Sequence, residues 1–267
     1  SRWVDAVLEK NDMIDQQTNV KGLFFWGHAP NSQTRGLDMK RAMNKLDLLV
    51  VVDPYPSATA AMAAMPPAPG GEVNKNRAVY LLPTTTQFEC SGSATASNRS
   101  VQWREKVIDP LFESVPDHVL MQAFADRLGF GKELSKNYKM LDSKFAGKNW
   151  KEPEVESILR EINKAVWTIG YTGHTPERLK AHMRMMSVFD PKTLRSRGGK
   201  DPVSGYDTAG DYFGLPWPCF GNAALKHPGS PNLYDTSKHV MDGGGNFRAN
   251  FGVEKDGKSL LAADGSF

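Results

Sequence analysis

The chain has 267 residues, 40% of them hydrophobic and 24% charged, enough to build a real core in one or two globular domains. Its net charge of +3 comes without a long Lys/Arg run, which argues against nucleic acid or an anionic membrane surface as partner. No apolar stretch approaches the roughly 20 residues needed to span a bilayer, so direct membrane insertion is not expected. The opening Ser1-Arg2-Trp3-Val4-Asp5 falls inside an amphipathic pattern and not a signal peptide. Two cysteines, Cys90 and Cys219, cannot supply a four-thiolate zinc or iron–sulfur site and are expected as buried free thiols.

Trp3, Val4, Val7 and Leu8 predict one face of a short helix, with Asp5, Glu9 and Lys10 opposite. After a polar connection, the apolar run Gly22-Leu23-Phe24-Phe25-Trp26 ends at Gly27. A loop with Pro30, Asn31, Ser32 and Thr34 follows, and then Leu37, Met39, Ala42, Met43 and Leu46 recur at helical spacing. A second apolar run, Leu48 to Val52, closes on Asp53-Pro54. Short continuous apolar runs are the pattern of buried parallel strands, so this stretch predicts a βαβ unit with a ligand edge at its strand ends. Asp53 lies about 26 positions after Gly27, near the spacing at which nucleotide-binding units place a ribose- or base-reading carboxylate. The full GxGxxG is absent, which leaves open an ordinary βαβ unit whose Asp53 only turns the chain.

Pro54-Tyr55-Pro56 stops the strand, Ser57 is placed to cap a small-residue helix over 58–65, and 66–76 reads as a Pro/Gly loop. Val79 to Pro83 predicts a third strand. Thr84 to Gln102 is dense in Thr, Ser, Asn and Gly and reads as a long loop, either solvated or held against a polar ligand near Gly92; extended structure resumes at Val101. Asp117 to Leu128 predicts a helix with Val119, Leu120, Phe124 and Leu128 as its apolar residues, stopped by Gly129. A second helix is expected over 153–166, with Pro153 in its first turn and Val155, Ile158, Leu159 and Ile162 inward; a third starts with Thr175 as cap and Pro176 as first residue. From Phe189 onward periodicity is lost while aromatics stay dense (Tyr212, Phe213, Trp217, Phe220, Tyr234, Phe247, Phe251), which predicts an extended packing strap and not a disordered tail. The expected organisation is a Rossmann-like α/β half-domain over 1–110, a helical segment over 111–190 and a loop-rich packing or interface segment over 191–267.

Individual candidates for chemistry are weak. His28 falls in the loop after the first strand, and His182 fits an exposed helical position that it does not share with His174. His227 and His239 have no HxxxH or HExxH spacing, Gly243-Gly244-Gly245 suits a turn better than an anion cradle, and Cys219 has no histidine beside it. No catalytic or metal-ligating residue is assigned on these grounds.

The stretches GLFFWGHAPNSQTRGLDMKRAMNKLDLLVVVDPYPSATAAM, VYLLPTTTQFECSGSATASNRSVQWREKVIDPLFES, WTIGYTGHTPERLKAHM and GDYFGLPWPCFGNAALKHPGSPNLYDTSKHVMDGGGNFRANFGVE together resemble the major (alpha) subunit of the respiratory, nitrate-inducible type of formate dehydrogenase. That group belongs to the molybdopterin oxidoreductase superfamily. The resemblance implies an internal fragment of a much longer subunit. The cysteines for a [4Fe–4S] cluster, the selenocysteine or cysteine with its histidine, and a catalytic arginine would precede this region. It implies a molybdopterin guanine dinucleotide with molybdenum or tungsten in the complete enzyme, and no cofactor or formate-oxidising activity in the fragment alone. Trp26, Gly27, Pro30 and Asn31 would then approach the pyrophosphate. Asp53, Pro54 and Thr59 would meet the guanosine end, and Glu89, Gly92, Thr95, Asn98 and Gln102 would line the cofactor or brace the site. The implied partners are the rest of the subunit, an iron–sulfur electron-transfer subunit and formate, and the implied location is periplasmic. A subunit-contact module and a stand-alone nucleotide-binding protein are the competing readings.

Overall fold

The computed structural model describes residues 2–8, 18–28, 35–56, 59, 73–95, 101–165, 173–191, 195–213, 220–222, 227–229, 254–255 and 258–259. The chain divides into two compact units, one of Ser1–Cys90, Val107–Phe124 and Asp142–Lys151, the other of Ser91–Lys106, Ala125–Leu141 and Glu152–Phe267.

The first unit is built on a parallel sheet. Strands β1 (Gly22–Trp26), β2 (Leu48–Asp53) and β3 (Ala78–Pro83) lie in that order, with β2 in the middle. Helix α1 (Arg2–Leu8) precedes β1, and α2 (Gly36–Lys45) connects β1 to β2. Val4, Val7, Phe25, Met39, Ala42, Met43, Leu46, Leu49 and Val51 form one apolar cluster. Val50 and Val52 join Val115, Val119 and Leu120 in another. Neighbouring residues of β2 point to opposite faces, so this strand is covered on both, which is why its sequence is continuously apolar. Its amino end is pinned by polar groups. Asp47 N–H donates to Lys21 O at 2.8 Å and Ala78 N–H to Asp47 O at 2.8 Å. Asn74 donates from its side chain to Asp47 Oδ1 at 2.6 Å and from its backbone to Asn44 O at 2.8 Å.

Two expectations fail here. Leu37 is 63% exposed, because the first turn of α2 leaves it outside the stripe made by Met39, Ala42 and Met43. Asp5, expected on the polar side of α1, is buried and receives Arg35 at 3.0 and 2.7 Å.

Helix α3 (Asp117–Leu128) forms where predicted and turns at Gly129, φ +90°. Val119 and Leu120 are buried, but Leu128 in the last turn is exposed and not core. Phe124 sets its ring edge-on to Phe24 at 5.4 Å and to Trp26 at 6.1 Å.

In the second unit, part of the polar stretch expected as loop is strand β4 (Gly92–Thr95), paired antiparallel with β5 (Val101–Arg104). Val101 and Trp103 pack with Leu159 of α5 (Val155–Ala165) and Leu179 of α6 (Pro176–Arg184). A short helix, α4 (Gly131–Leu134), follows α3; a Cβ on Gly131 would overlap the Asp126 carboxylate, so glycine is required there. Thr175 caps α6 as expected, accepting from Arg178 N–H at 3.3 Å, with Pro176 in the first turn.

Pro153 does not start α5: it is the last residue of strand β7 (Lys148–Pro153), which pairs with β6 (Met140–Phe145). The turn residues Ala146 and Gly147 have φ +50° and +71°, the left-handed pair that a two-residue hairpin requires. Ile162, expected inward, lies at the exposed margin of α5. Near the carboxyl end, Phe220–Asn222 pairs with His227–Gly229 and Glu254–Lys255 with Lys258–Ser259. The rest of the expected strap, including Trp217, Cys219, Tyr234, His239, Gly243-Gly244-Gly245, Phe247 and Phe251, lies outside the described residues, as does the helix over 58–65 apart from Thr59.

Candidate functional site

The parallel sheet ends level, with Trp26 beside Val52 and Asp53 beside Pro83. Carboxyl ends of parallel strands are where α/β sheets bind ligands. Gly27 leaves β1 at φ +55°, a conformation that disfavours a side chain, and its N–H donates to Val52 O at 2.9 Å. Among the described residues, apart from its two chain neighbours, no atom lies within 4 Å of the place a Cβ would occupy, so the backbone there is open to close approach. Pro30 and Asn31 lie outside the described residues. Helix α2 opens at Gly36 with Arg35 as its cap residue. Arg35 makes no side-chain capping bond; its guanidinium is occupied by Asp5 and Asp38.

Asp53 is half-buried at the tip of β2. Its Oδ1 accepts the Tyr55 N–H at 3.1 Å in a tight local turn, and Oδ2 has no hydrogen-bond partner among the described residues. Pro54 is exposed next to it. Thr59 is fully buried and donates to His28 O at 3.2 Å, tying the segment after β2 to the segment after β1. Three residues here carry no motif signal. Thr84 donates from its backbone to Asp53 O at 3.3 Å and from its hydroxyl to Asp117 Oδ1 at 2.9 Å. Asp117 also receives the Trp26 indole N–H at 2.5 Å. Thr85 is buried with a hydroxyl that has no partner among the described residues. A run of threonines directly after a strand was the available hint.

Glu89 is buried in the same unit as a brace. Its carboxylate accepts from Thr86 N–H at 2.7 Å, Leu111 N–H at 2.7 Å and the Ser114 hydroxyl at 3.4 Å. Burial alone would raise its pKa, but these donors outweigh it and hold the carboxyl below its ordinary range. Gly92, Thr95 and Gln102 lie in the β4–β5 hairpin of the other unit, with Gln102 opposite Ala94, and Asn98 lies outside the described residues. The expected set therefore divides: Trp26, Gly27, Asp53, Pro54 and Thr59 gather at one rim, Glu89 is buried in the same unit, and Gly92, Thr95 and Gln102 belong to the other.

A polar cluster in the second unit was not foreseen. His182 is 1% exposed, not on the surface of its helix, because Asp211 comes back over α6 from 29 residues away. Asp211 accepts from His182 Nε2 at 2.8 Å, Arg178 Nε at 2.9 Å, Arg178 Nη2 and the Tyr206 hydroxyl at 3.0 Å. Burial pushes its pKa up, but His182 and Arg178 overcome this and bring it down to about 2. Burial raises Tyr206 to about 12. Arg184 grips the buried Asp201 at 2.9 and 2.6 Å, and Ser204 closes the turn onto the same carboxylate. The Phe189 and Phe213 rings pack on the His182 imidazole. A cluster this enclosed and this fully paired holds the segment 195–213 against α6; it presents no exposed acid or base. No group of three or more His, Cys, Asp or Glu able to hold a metal occurs among the described residues, and no described helix is long and apolar enough to cross a membrane.

No family model matches the chain. Over 171 residues it is 29% identical to the F420-dependent formate dehydrogenase subunit alpha of Methanocaldococcus jannaschii, a match covering 63% of this chain and 20% of that protein. The chain is similar to formate dehydrogenase alpha subunits. A formate dehydrogenase subunit alpha of Megalodesulfovibrio gigas is 29% identical over 113 residues, covering 42% of this chain and 11% of the relative. A trimethylamine-N-oxide reductase of Vibrio vulnificus is 24% identical over 156 residues, 53% of this chain and 17% of the relative. The resemblance to formate dehydrogenase alpha subunits is thus borne out, and the chain spans a fifth or less of the length of these curated relatives.

Proposed function

We propose that this chain is part of the alpha subunit of a formate dehydrogenase and forms one side of its site for a molybdopterin guanine dinucleotide. The observation that carries the reading is the rim of the parallel sheet, where an open glycine backbone at Gly27 and a half-buried carboxylate at Asp53 end adjacent strands. The residues fit such a group. Among the described residues Gly27 leaves room for a pyrophosphate against the backbone next to Trp26. Asp53 keeps one carboxylate oxygen, and Thr85 a buried hydroxyl, without a partner among the described residues. A guanine edge offers two adjacent N–H donors that one carboxylate can accept, whereas adenine offers no such pair.

When bound, the cofactor supplies the molybdenum or tungsten at which formate is oxidised to carbon dioxide. The work of this chain is binding and orientation. Asp53 and Pro54 would receive the guanosine end, Thr59 keeps the two rim loops tied, and Glu89 braces the turn at Leu111 in the same unit. On this reading the catalytic residues and the iron–sulfur ligands belong to the remainder of the subunit, the isolated chain does not oxidise formate, and electrons leave to an iron–sulfur partner in the periplasm.

The test is Asp53→Asn in the complete enzyme, read as pterin and guanine nucleotide released per subunit. A hydrogen bond to an ionised acceptor is worth about 1.5–3 kcal/mol, so cofactor affinity should fall roughly ten- to hundredfold with an unchanged melting temperature. Full occupancy at limiting cofactor would return Asp53 to the role of a strand-ending turn residue.

A further inference from the structure

Arg35 stands where a parallel α/β unit places a phosphate-binding charge. It is the last residue before α2, and a helix that returns between parallel strands starts at their carboxyl edge, the edge that Gly27 and Asp53 occupy. Its backbone lies in the left-handed region, φ +68°, which a residue with a side chain adopts only under constraint. Two carboxylates supply that constraint. Nη1 and Nη2 donate to the Asp5 oxygens at 3.0 and 2.7 Å, while Nε and Nη2 donate to Asp38 Oδ2 at 3.2 and 3.0 Å, so every nitrogen of the guanidinium faces a carboxylate. Asp5 is buried in α1, which joins α2 in one apolar cluster through Val4, Val7, Met39 and Met43. Arg41 Nη1 reaches the other oxygen of Asp38 at 3.4 Å, so two cations and two anions balance here.

Resting on the cofactor-site reading above, we propose that Arg35 is a positioning residue for the cofactor and not a ligand of its phosphates: by clasping Asp5 it fixes the downstream end of the segment that begins at Gly27. The upstream end of that segment is fixed by the Gly27 N–H on Val52 O at 2.9 Å and by Thr59 on His28 O at 3.2 Å. With both ends held by the protein, less order remains to be imposed when the cofactor binds, which raises affinity without adding a contact. A phosphate approaching Arg35 would compete with two carboxylates. Withdrawing the guanidinium would also leave the Asp5 carboxylate buried without it, which is unfavourable. The charge that meets the pyrophosphate therefore does not come from Arg35, although its place in the sequence suggests that it should.

The experiment measures cofactor affinity in the complete enzyme, as pterin and guanine nucleotide held per subunit over a range of limiting cofactor, with the melting temperature alongside. Asp5→Asn keeps the shape of the side chain and frees the Arg35 charge. A strut then loses its anchor and affinity should fall about tenfold, whereas a phosphate ligand would be released from its carboxylate and affinity would hold or rise. Arg35→Lys keeps the charge without the planar fork and should fall as far as Asp5→Asn. The decisive variant combines Asp5→Asn with Arg35→Gly, because glycine suits φ +68° and neither a strained backbone nor a buried charge remains. It should melt near the wild-type temperature and hold cofactor no better and no worse than Asp5→Asn alone. Unchanged or higher affinity in Asp5→Asn overturns the proposal, as does full recovery in Arg35→Lys. A combined variant that melts far below wild type also overturns it, since the clasp would then hold the fold and not the site. Wild-type enzyme without pterin sinks the cofactor-site reading itself, whereas full pterin in both wild type and the combined variant sinks only the role of Arg35.

Discussion

The middle strand of the sheet is buried along its length, whereas the mostly exposed segment 195–213 buries four polar residues, and the two are held by opposite means. In β2, Leu49, Val50, Val51 and Val52 give apolar surface to clusters on both faces, at about 1.5–3 kcal/mol for each fully buried side chain. In the segment 195–213 the buried groups are Ser196 and Thr208, bonded to each other, and Asp201 and Asp211, anchored on α6 by Arg184 and by Arg178 with His182. Apolar burial is non-directional and degrades in proportion to the atoms removed. A buried carboxylate depends on each of its donors, so it fails abruptly and it fails with pH.

The comparison can be broken most sharply at Asp211. Asp211→Asn removes the charge but leaves Arg178 and His182 under the same cover. It should cost about 4 kcal/mol in urea unfolding of the second unit, as breaking a buried pair does. Leu49→Ala in β2 should cost somewhat less, about 3 kcal/mol, through lost transfer energy and a residual cavity. The two variants should also differ in kind, the first reducing the pH dependence described next to the part that Asp201 contributes and the second leaving it intact.

Acid should separate the regions without any mutation. Asp211 is depressed to about 2 from an ordinary 3.8, and Asp201 is held lower still by Arg184. A depressed carboxylate stabilises fully above its unfolded pKa and loses that contribution as pH falls through the folded value. Amide hydrogen exchange followed downward from pH 4 should therefore show 195–213 losing protection toward pH 2 while β2 amides keep theirs. Earlier loss in β2 would contradict the contrast drawn here. The smallest effect is expected at Thr175→Ala, about 1 kcal/mol, seen as fraying of the first turn of α6.

Legibility in the sequence follows the same division. The three strands, α2, α3 and the Thr175-Pro176 start of α6 were readable because their causes are local: a run, a period, a cap. His182 and Asp5 were misread as surface residues because the partners that bury them, Asp211 and Arg35, stand 29 and 30 residues away. Pro153 was placed in a helix because the helix signal after it is strong and the strand before it is polar, and the β6–β7 hairpin was missed because its turn is Ala146-Gly147, not Asn-Gly. Of the candidate site, Gly27 and Asp53 were legible from strand ends and spacing. Glu89 was singled out through the family resemblance, but its role as a brace on Leu111 depends on a turn 22 residues downstream.

The double burial of β2 leaves its alignment undetermined by its own side chains. A strand with one wet face is punished for sliding by one residue, since every side chain changes faces. Leu48-Leu49-Val50-Val51-Val52 is apolar whichever way it is read, so a slip would exchange one set of apolar contacts for another. What meters the strand is the polar grip at its amino end: Asp47 on Lys21 and Ala78, and Asn74 on Asp47 and Asn44. Six residues of strand, roughly 20 Å of it, separate that grip from the tip. The height at which the Asp53 carboxylate emerges is thus gauged by an asparagine at the opposite end of the sheet.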